Sequence, residues 1–128
     1  MNDPGFAAVK REIVASGQAS TGSNLDGMLM DFDAYLEMSD LVEDRSVSIE
    51  TTDDVSSLLL ATCVAKAGAD ADDVIRELAR IWESSLRYHE GPGAYEVKHD
   101  GSRVIFDFVT QMAPGRSFVT GRITVGIP

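Results

Sequence analysis

Phe6, Val9, Ile13 and Val14 recur at the three- and four-residue spacing of a helix face, and Asp3 followed by Pro4 supplies a helix start. A first helix is therefore expected to about Ser16. Gly17 to Asn24 is rich in Gly, Ser, Thr and Asn, holds no charge and no large apolar residue, and reads as a flexible loop over 17–24. From Leu25 to Asp44 two templates compete. Leu25, Met28, Leu29, Phe32 and Leu36 match a helical stripe, while Met28, Met30, Phe32, Ala34, Leu36 and Met38 alternate with period two. The Met, Leu, Ala and Glu content, with no β-branched residue before Val42, favours helix, and strand is the open alternative.

Val47 and Ile49 alternate with Ser46, Ser48 and Glu50 and predict a short strand. Thr51 or Thr52 would then cap a helix whose first turn carries Asp53 and Asp54 at the positive end of its dipole. Val55, Leu58, Leu59, Thr62 and Cys63 form one face of that segment, and Leu60, Ala61, Val64 and Ala65 fill most of the rest. It is expected as a central buried helix. Gly68 would stop it, and Asp70 with Asp73 would cap an antiparallel neighbour over about 71–88. That helix has the clearest apolar stripe, Val74, Ile75, Leu78, Ile81, Trp82, Ser85 and Leu86, with Asp72–Arg76 and Glu83–Arg87 as i,i+4 pairs on the other side.

Beyond Gly91, Pro92 and Gly93 the alternation is that of strands, near 94–99, 103–111 and 117–126. With Asp100 and Gly101 at the centre of a hairpin turn, Val97 pairs with Val104 and Tyr95 with Phe106. Pro114 and Gly115 make the second turn, setting Phe106 against Ile123, Val104 against Val125 and Asp107 against Arg122. The expected fold is one α+β domain over 1–128, a helical N-terminal two-thirds packed on one face of a C-terminal three-stranded antiparallel meander. The outer face of that meander carries Ile105, Val109 and Phe118 among charges, a mixture expected to be partly covered by a partner subunit, as in a homodimer, or by a loop.

Charge changes this picture most. Residues 12–65 hold eleven acids against Arg45 alone, while the rest of the 128 residues carry ten acids and ten bases, so the whole net charge of -10 is local. A sequence pI near 4.4 argues against nucleic-acid phosphates and anionic membranes as partners. The single cysteine, Cys63, excludes an internal disulfide framework, and with no apolar run of membrane-spanning length the expected location is cytoplasmic.

Candidate chemistry is sparse. His89 and His99 have no partner at metal-ligand spacing, Cys63 lies in an apolar run that disfavours its thiolate, and neither a Gly-x-Ser-x-Gly elbow nor a phosphate-cradling glycine loop occurs. Asp31 and Asp33 lack the glycine and distal glutamate of a calcium loop. No cofactor or metal is expected. Placed on a helix, Asp33, Glu37, Asp40 and Asp44 line one face, a row of like charges that is destabilising unless something compensates. Asp31, Asp33, Glu37, Asp40, Glu43 and Asp44 are therefore the candidate partner-binding residues. The functional expectation is a non-enzymatic acidic domain of inhibitor, immunity or chaperone type that docks a basic protein through residues 26–54. The alternative is a small enzyme or ligand-binding domain with a pocket between sheet and helices.

Overall fold

Leu59, Ala61, Cys63 and Ala65 are buried while Thr62 and Val64 are exposed, a strict alternation that makes residues 57–65 a strand and not a helix. The computed structural model describes residues 4–19, 23–51, 57–84, 89–112 and 117–128. Its elements are α1 (Pro4–Ser16), β1 (Gln18–Ala19), α2 (Ser23–Met38), β2 (Val42–Thr51), β3 (Ser57–Ala65), α3 (Ala71–Ser84), β4 (His89–His99), β5 (Arg103–Met112) and β6 (Ser117–Gly126). The strands form one mixed sheet in the order β2-β3-β6-β5-β4, and the two residues of β1 lie parallel beside the start of β6.

This corrects the expected fold class. The N-terminal two-thirds are not helical, and the C-terminal strands are not a separate three-stranded platform. β2 and β3 form an antiparallel pair from Asp44↔Val64 to Thr51↔Ser57, and β3 then runs parallel to β6, so the sheet is larger and mixed. A short apolar run looks alike as buried strand or buried helix, because both place apolar residues on every side. Here the inward set is small, Ala61, Cys63 and Ala65, and lies in the core beneath the helices. The expected cap at Thr51 is the last residue of β2, and Thr52, Asp53 and Asp54 lie outside the described residues. With that helix gone, Gly68, at φ +90°, turns the chain out of a strand instead of ending a helix.

Consecutive antiparallel pairing of β4, β5 and β6 occurs within the larger sheet. Phe106 faces Ile123, Val104 faces Val125 and Asp107 faces Arg122, as the turn spacing implies. The β4–β5 register differs by two residues, with Val97 opposite Phe106 and Tyr95 opposite Phe108. The reason lies in Asp100. Its Oδ1 accepts hydrogen bonds from the Ser102 N–H, the Ser102 hydroxyl and the Arg103 N–H, which holds Asp100 at the first position of the turn. Gly101, at φ +89°, takes the first central position, where a left-handed conformation is required. A two-residue slip preserves the side-chain parity, so the same residues remain inward.

Helices α2 and α3 cover one face of the sheet. Met28, Phe32 and Leu36 of α2 and Leu78, Ile81 and Trp82 of α3 meet Leu59, Phe106, Phe108, Val119 and Ile123 in the main core. Phe32 stacks on Phe108 at 5.3 Å, and Tyr95 stacks on Phe106 at 4.7 Å. Trp82 donates its Nε1–H to Thr110 Oγ1 at 3.1 Å, satisfying both buried polar groups. α3 begins as expected, with the Asp73 N–H donating to Asp70 Oδ1 at 2.8 Å. Arg76 pairs with Asp73 rather than Asp72, and Arg87 lies outside the described residues.

α1 packs on the opposite face. Phe6 and Ile13 bury Val109 and Phe118, so part of this outer face is covered by the chain's own first helix. It covers only that cluster, and Leu58, Leu60, Thr62, Val64, Ile105 and Thr124 of the same face remain exposed or half-buried.

Candidate acidic docking edge

The order of strands places β2 at a sheet edge, with α2 packed against it. Residues 23–51, which form α2 and β2, contain eight acids against Arg45. These acids thus lie along one edge of the sheet, while Glu12 of α1 belongs to its opposite face.

The alternation of β2 sorts its charges between two faces. Arg45, Val47 and Ile49 pair with Cys63, Ala61 and Leu59, and so share their inward face, whereas Asp44, Ser46, Ser48 and Glu50 take the outer one. Arg45 therefore points towards α2. Its Nε donates to Asp33 Oδ1 at 2.9 Å and to the Asp33 carbonyl at 3.1 Å, and its Nη2 lies 3.3 Å from Glu37 Oε2. The hydrogen bond to Asp33 raises the Arg45 pKa, outweighing the opposing effect of desolvation. Here is the compensation that the acidic row requires: the one base in the segment is inserted between the first two acids.

The row itself is shorter than the spacing suggests. α2 ends at Met38, so Asp40 lies in the turn and Asp44 on a strand, and they no longer continue the helical line of Asp33 and Glu37. Asp31 is half-buried on the opposite flank of α2 from Asp33. Asp40, Glu43 and Asp44 are exposed at the α2–β2 corner. Asp44 Oδ1 accepts the Arg45 N–H at 2.9 Å, and the β2–β3 register is irregular between Val42 and Asp44, at Glu43. Lys66 brings one cation to this corner, since its N–H donates to the Leu41 carbonyl at 2.9 Å.

Ser39 anchors the corner from below. Its hydroxyl donates to Glu77 Oε2 at 2.6 Å and accepts the Leu41 N–H at 3.2 Å. Glu77 also accepts from Arg80 Nε at 2.5 Å. Burial opposes the ionised Glu77, but the hydrogen bonds from Arg80 and Ser39 outweigh it and lower its pKa. Neither the Arg45 tie nor this Ser39–Glu77 link is legible without the strand assignment. The signal for the first was the isolation of Arg45 among acids.

Among the described residues no three His, Cys, Asp or Glu side chains could hold a metal ion. Cys63 is buried, and desolvation, aided by Asp44 and opposed by Arg45, pushes its thiol up to about 11. His99 is exposed beside the Asp100 turn, and the His89 side chain lies outside the described residues. Among the described residues, Lys98, His99, Asp100, Arg103 and Ile105 line a cavity of about 130 Å³, and an open groove of about 530 Å³ runs along α1. Neither lies between the sheet and α2 or α3. Among the described residues no helix is long and apolar enough to cross a membrane.

Comparison with protein-family models, with curated proteins and with solved structures finds no match to this chain.

Proposed function

We propose that this chain is a non-enzymatic protein-binding domain of the inhibitor, immunity or chaperone kind, working in the cytoplasm, that docks a basic protein surface through the edge formed by α2 and β2. The observation that carries this reading is the inward turn of Arg45. With that guanidinium spent on Asp33 and Glu37, the acids Asp40, Glu43, Asp44 and Glu50 are left exposed on the corner and outer side of an edge strand. Among the described residues only Lys66 joins them there by a backbone contact. A field of one sign on one side of a molecule accelerates encounter with an oppositely charged partner and orients it. Asp33 and Glu37 then act chiefly in holding α2 to β2, and the corner acids make the contact.

An enzyme with a pocket between sheet and helices has weaker support, because Phe32, Phe106, Phe108, Leu59 and Ile123 fill that space with at most 1% of their surface exposed. The test is to capture the partner on immobilised protein and then measure its association rate against ionic strength. A rate that falls at least tenfold between about 0.05 and 0.5 M salt, and falls similarly on combining Asp40→Asn, Glu43→Gln, Asp44→Asn and Glu50→Gln, supports the reading. A salt-independent rate, unchanged by those substitutions, would overturn it.

A further inference from the structure

Along α1, exposed Lys10 and Val14 continue the row of Phe6, which is itself buried against Val109 and Phe118, and exposed Ala7, Arg11 and Ala15 form the adjacent row. These six residues, with Glu96 of β4, line the open groove of about 530 Å³. Both rows run apolar, cationic, apolar. Lys10 lies 5.9 Å from the Phe6 ring centroid, and neither Lys10 nor Arg11 has an ion-pair partner among the described residues. The one acid in the lining, Glu96, is itself 3.6 Å from Lys98. In a chain of net charge -10, two unpaired cations between apolar ends mark a surface shaped for an acidic, partly apolar occupant.

The complement is present on α2. Met30 and Met38 are 69% and 78% exposed, the largest values among the exposed large apolar residues described. They are eight residues apart, as the exposed Ala7 and Ala15 are, a span of about 12 Å along a helix. Ala34 lies between them in the same row, and Asp33 and Glu37 stand at intermediate heights beside it. The Glu37 side chain is 66% exposed, so its contact with Arg45 leaves it open to a further cation.

We propose that the α1 groove of one molecule receives α2 of a second copy of the chain, Met30 and Met38 seating at the two apolar ends and Asp33 and Glu37 facing Lys10 and Arg11. A second copy's α1 does not fit the groove, because it would set cations against cations. α1 and α2 lie on opposite faces of the sheet, so the two surfaces are not presented together to one neighbour, and the association runs head to tail. A contact of about two helical turns falls below the roughly 1,200 Å² of a stable interface, which makes the assembly weak and dependent on concentration. This inference does not rest on the docking reading above, which uses Asp40, Glu43, Asp44 and Glu50.

Sedimentation of the full chain tests it. Wild-type mass is expected to grow with concentration up to about 1 mM, and to fall back in high salt. Lys10→Glu/Arg11→Glu removes one surface and Met30→Lys/Met38→Lys the other, all four at exposed positions, so each variant alone should be monomeric. Mixed, the two variants retain one compatible pair of surfaces and should give a 1:1 dimer that grows no further. A thermal midpoint within a few degrees of wild type shows that each variant is folded, and where one is not, the glutamine substitutions replace it. A wild type that stays monomeric, a closed dimer that does not grow, either variant growing alone, or a mixture that stays monomeric would each overturn the proposal.

Discussion

Arg45 Nε on β2 and Asp33 Oδ1 on α2 stand 2.9 Å apart, and the same nitrogen also reaches the Asp33 carbonyl. This is the cross-link between the edge strand and the helix above it. The side chains are 28% and 43% exposed, so solvent screens the pair and its contribution is modest. Arg45→Met should lower unfolding stability modestly, partly because Asp33 and Glu37 then repel each other. Urea unfolding checks this. A double-mutant cycle with Asp33→Asn should return a coupling of the same sign, and additivity of the two would remove the cross-link from the account.

Gly121 lies opposite Phe108 in the β5–β6 ladder, and a Cβ built there would lie 2.2 Å from two carbons of the Phe108 ring. That ring is also stacked on Phe32, so it cannot move aside without disturbing α2. Gly121→Ala is expected to cost about 3 kcal/mol, at the upper end of overpacking effects. Gly126→Ala, whose nearest contact would be the Cys63 carbonyl at 3.8 Å, should be nearly silent by comparison. Equal thermal midpoints for the two variants would contradict this packing.

Glu77 ties the α2–β2 corner to α3, and its folded pKa lies below its ordinary value of 4.5. A lowered carboxylate pKa means that the stabilisation is complete above the unfolded value and disappears as pH falls through the folded one. Glu77→Gln should therefore be less stable than wild type by about 1 kcal/mol at pH 7, the gap closing as pH drops below about 4.5. Thermal melts of both proteins from pH 7 to pH 3 measure it. A gap that persisted to the acid end would point to lost packing and not to the ionised group.

Cys63 should be inert in the native protein. With its thiol raised to about 11 and its side chain in the core, a thiol reagent at pH 8 is expected to label it only as fast as the molecule opens. Denaturant should make labelling rapid and complete. Fast native labelling would mean that β3 is not sealed beneath the helices.

Much of the architecture is legible in local pattern, and the part that is not has a physical cause. α1 and α3 announce themselves through Pro4, the Asp70 cap and a well-separated apolar stripe. The β5–β6 register follows from alternation, since any single-residue slip would turn Phe106 and Ile123 outward. β3 is opaque because Leu58, Leu59, Leu60, Ala61, Cys63, Val64 and Ala65 are apolar on both faces, which erases the period that distinguishes strand from helix. Asp44, expected on the helix over 25–44, lies on β2 because α2 ends at Met38. The acidity of the segment was visible from the sequence, but its division between a helix tied to Arg45 and an open corner depends on the two-residue period of β2. The cationic rows of α1 were present in the spacing of Lys10 and Arg11, yet they gain meaning only once Phe6 and Ile13 fix which side of that helix meets the sheet.

The most direct measurement is an amide chemical-shift titration of the isotope-labelled chain with decalysine at low salt, repeated in about 0.5 M salt. The expected result is a set of perturbed amides concentrated between Asp40 and Glu50, abolished by salt and by the combined Asp40→Asn, Glu43→Gln, Asp44→Asn and Glu50→Gln substitutions. Perturbations spread evenly over α3, β4 and β5, or a response unchanged in the substituted protein, would contradict an acidic docking edge at α2 and β2.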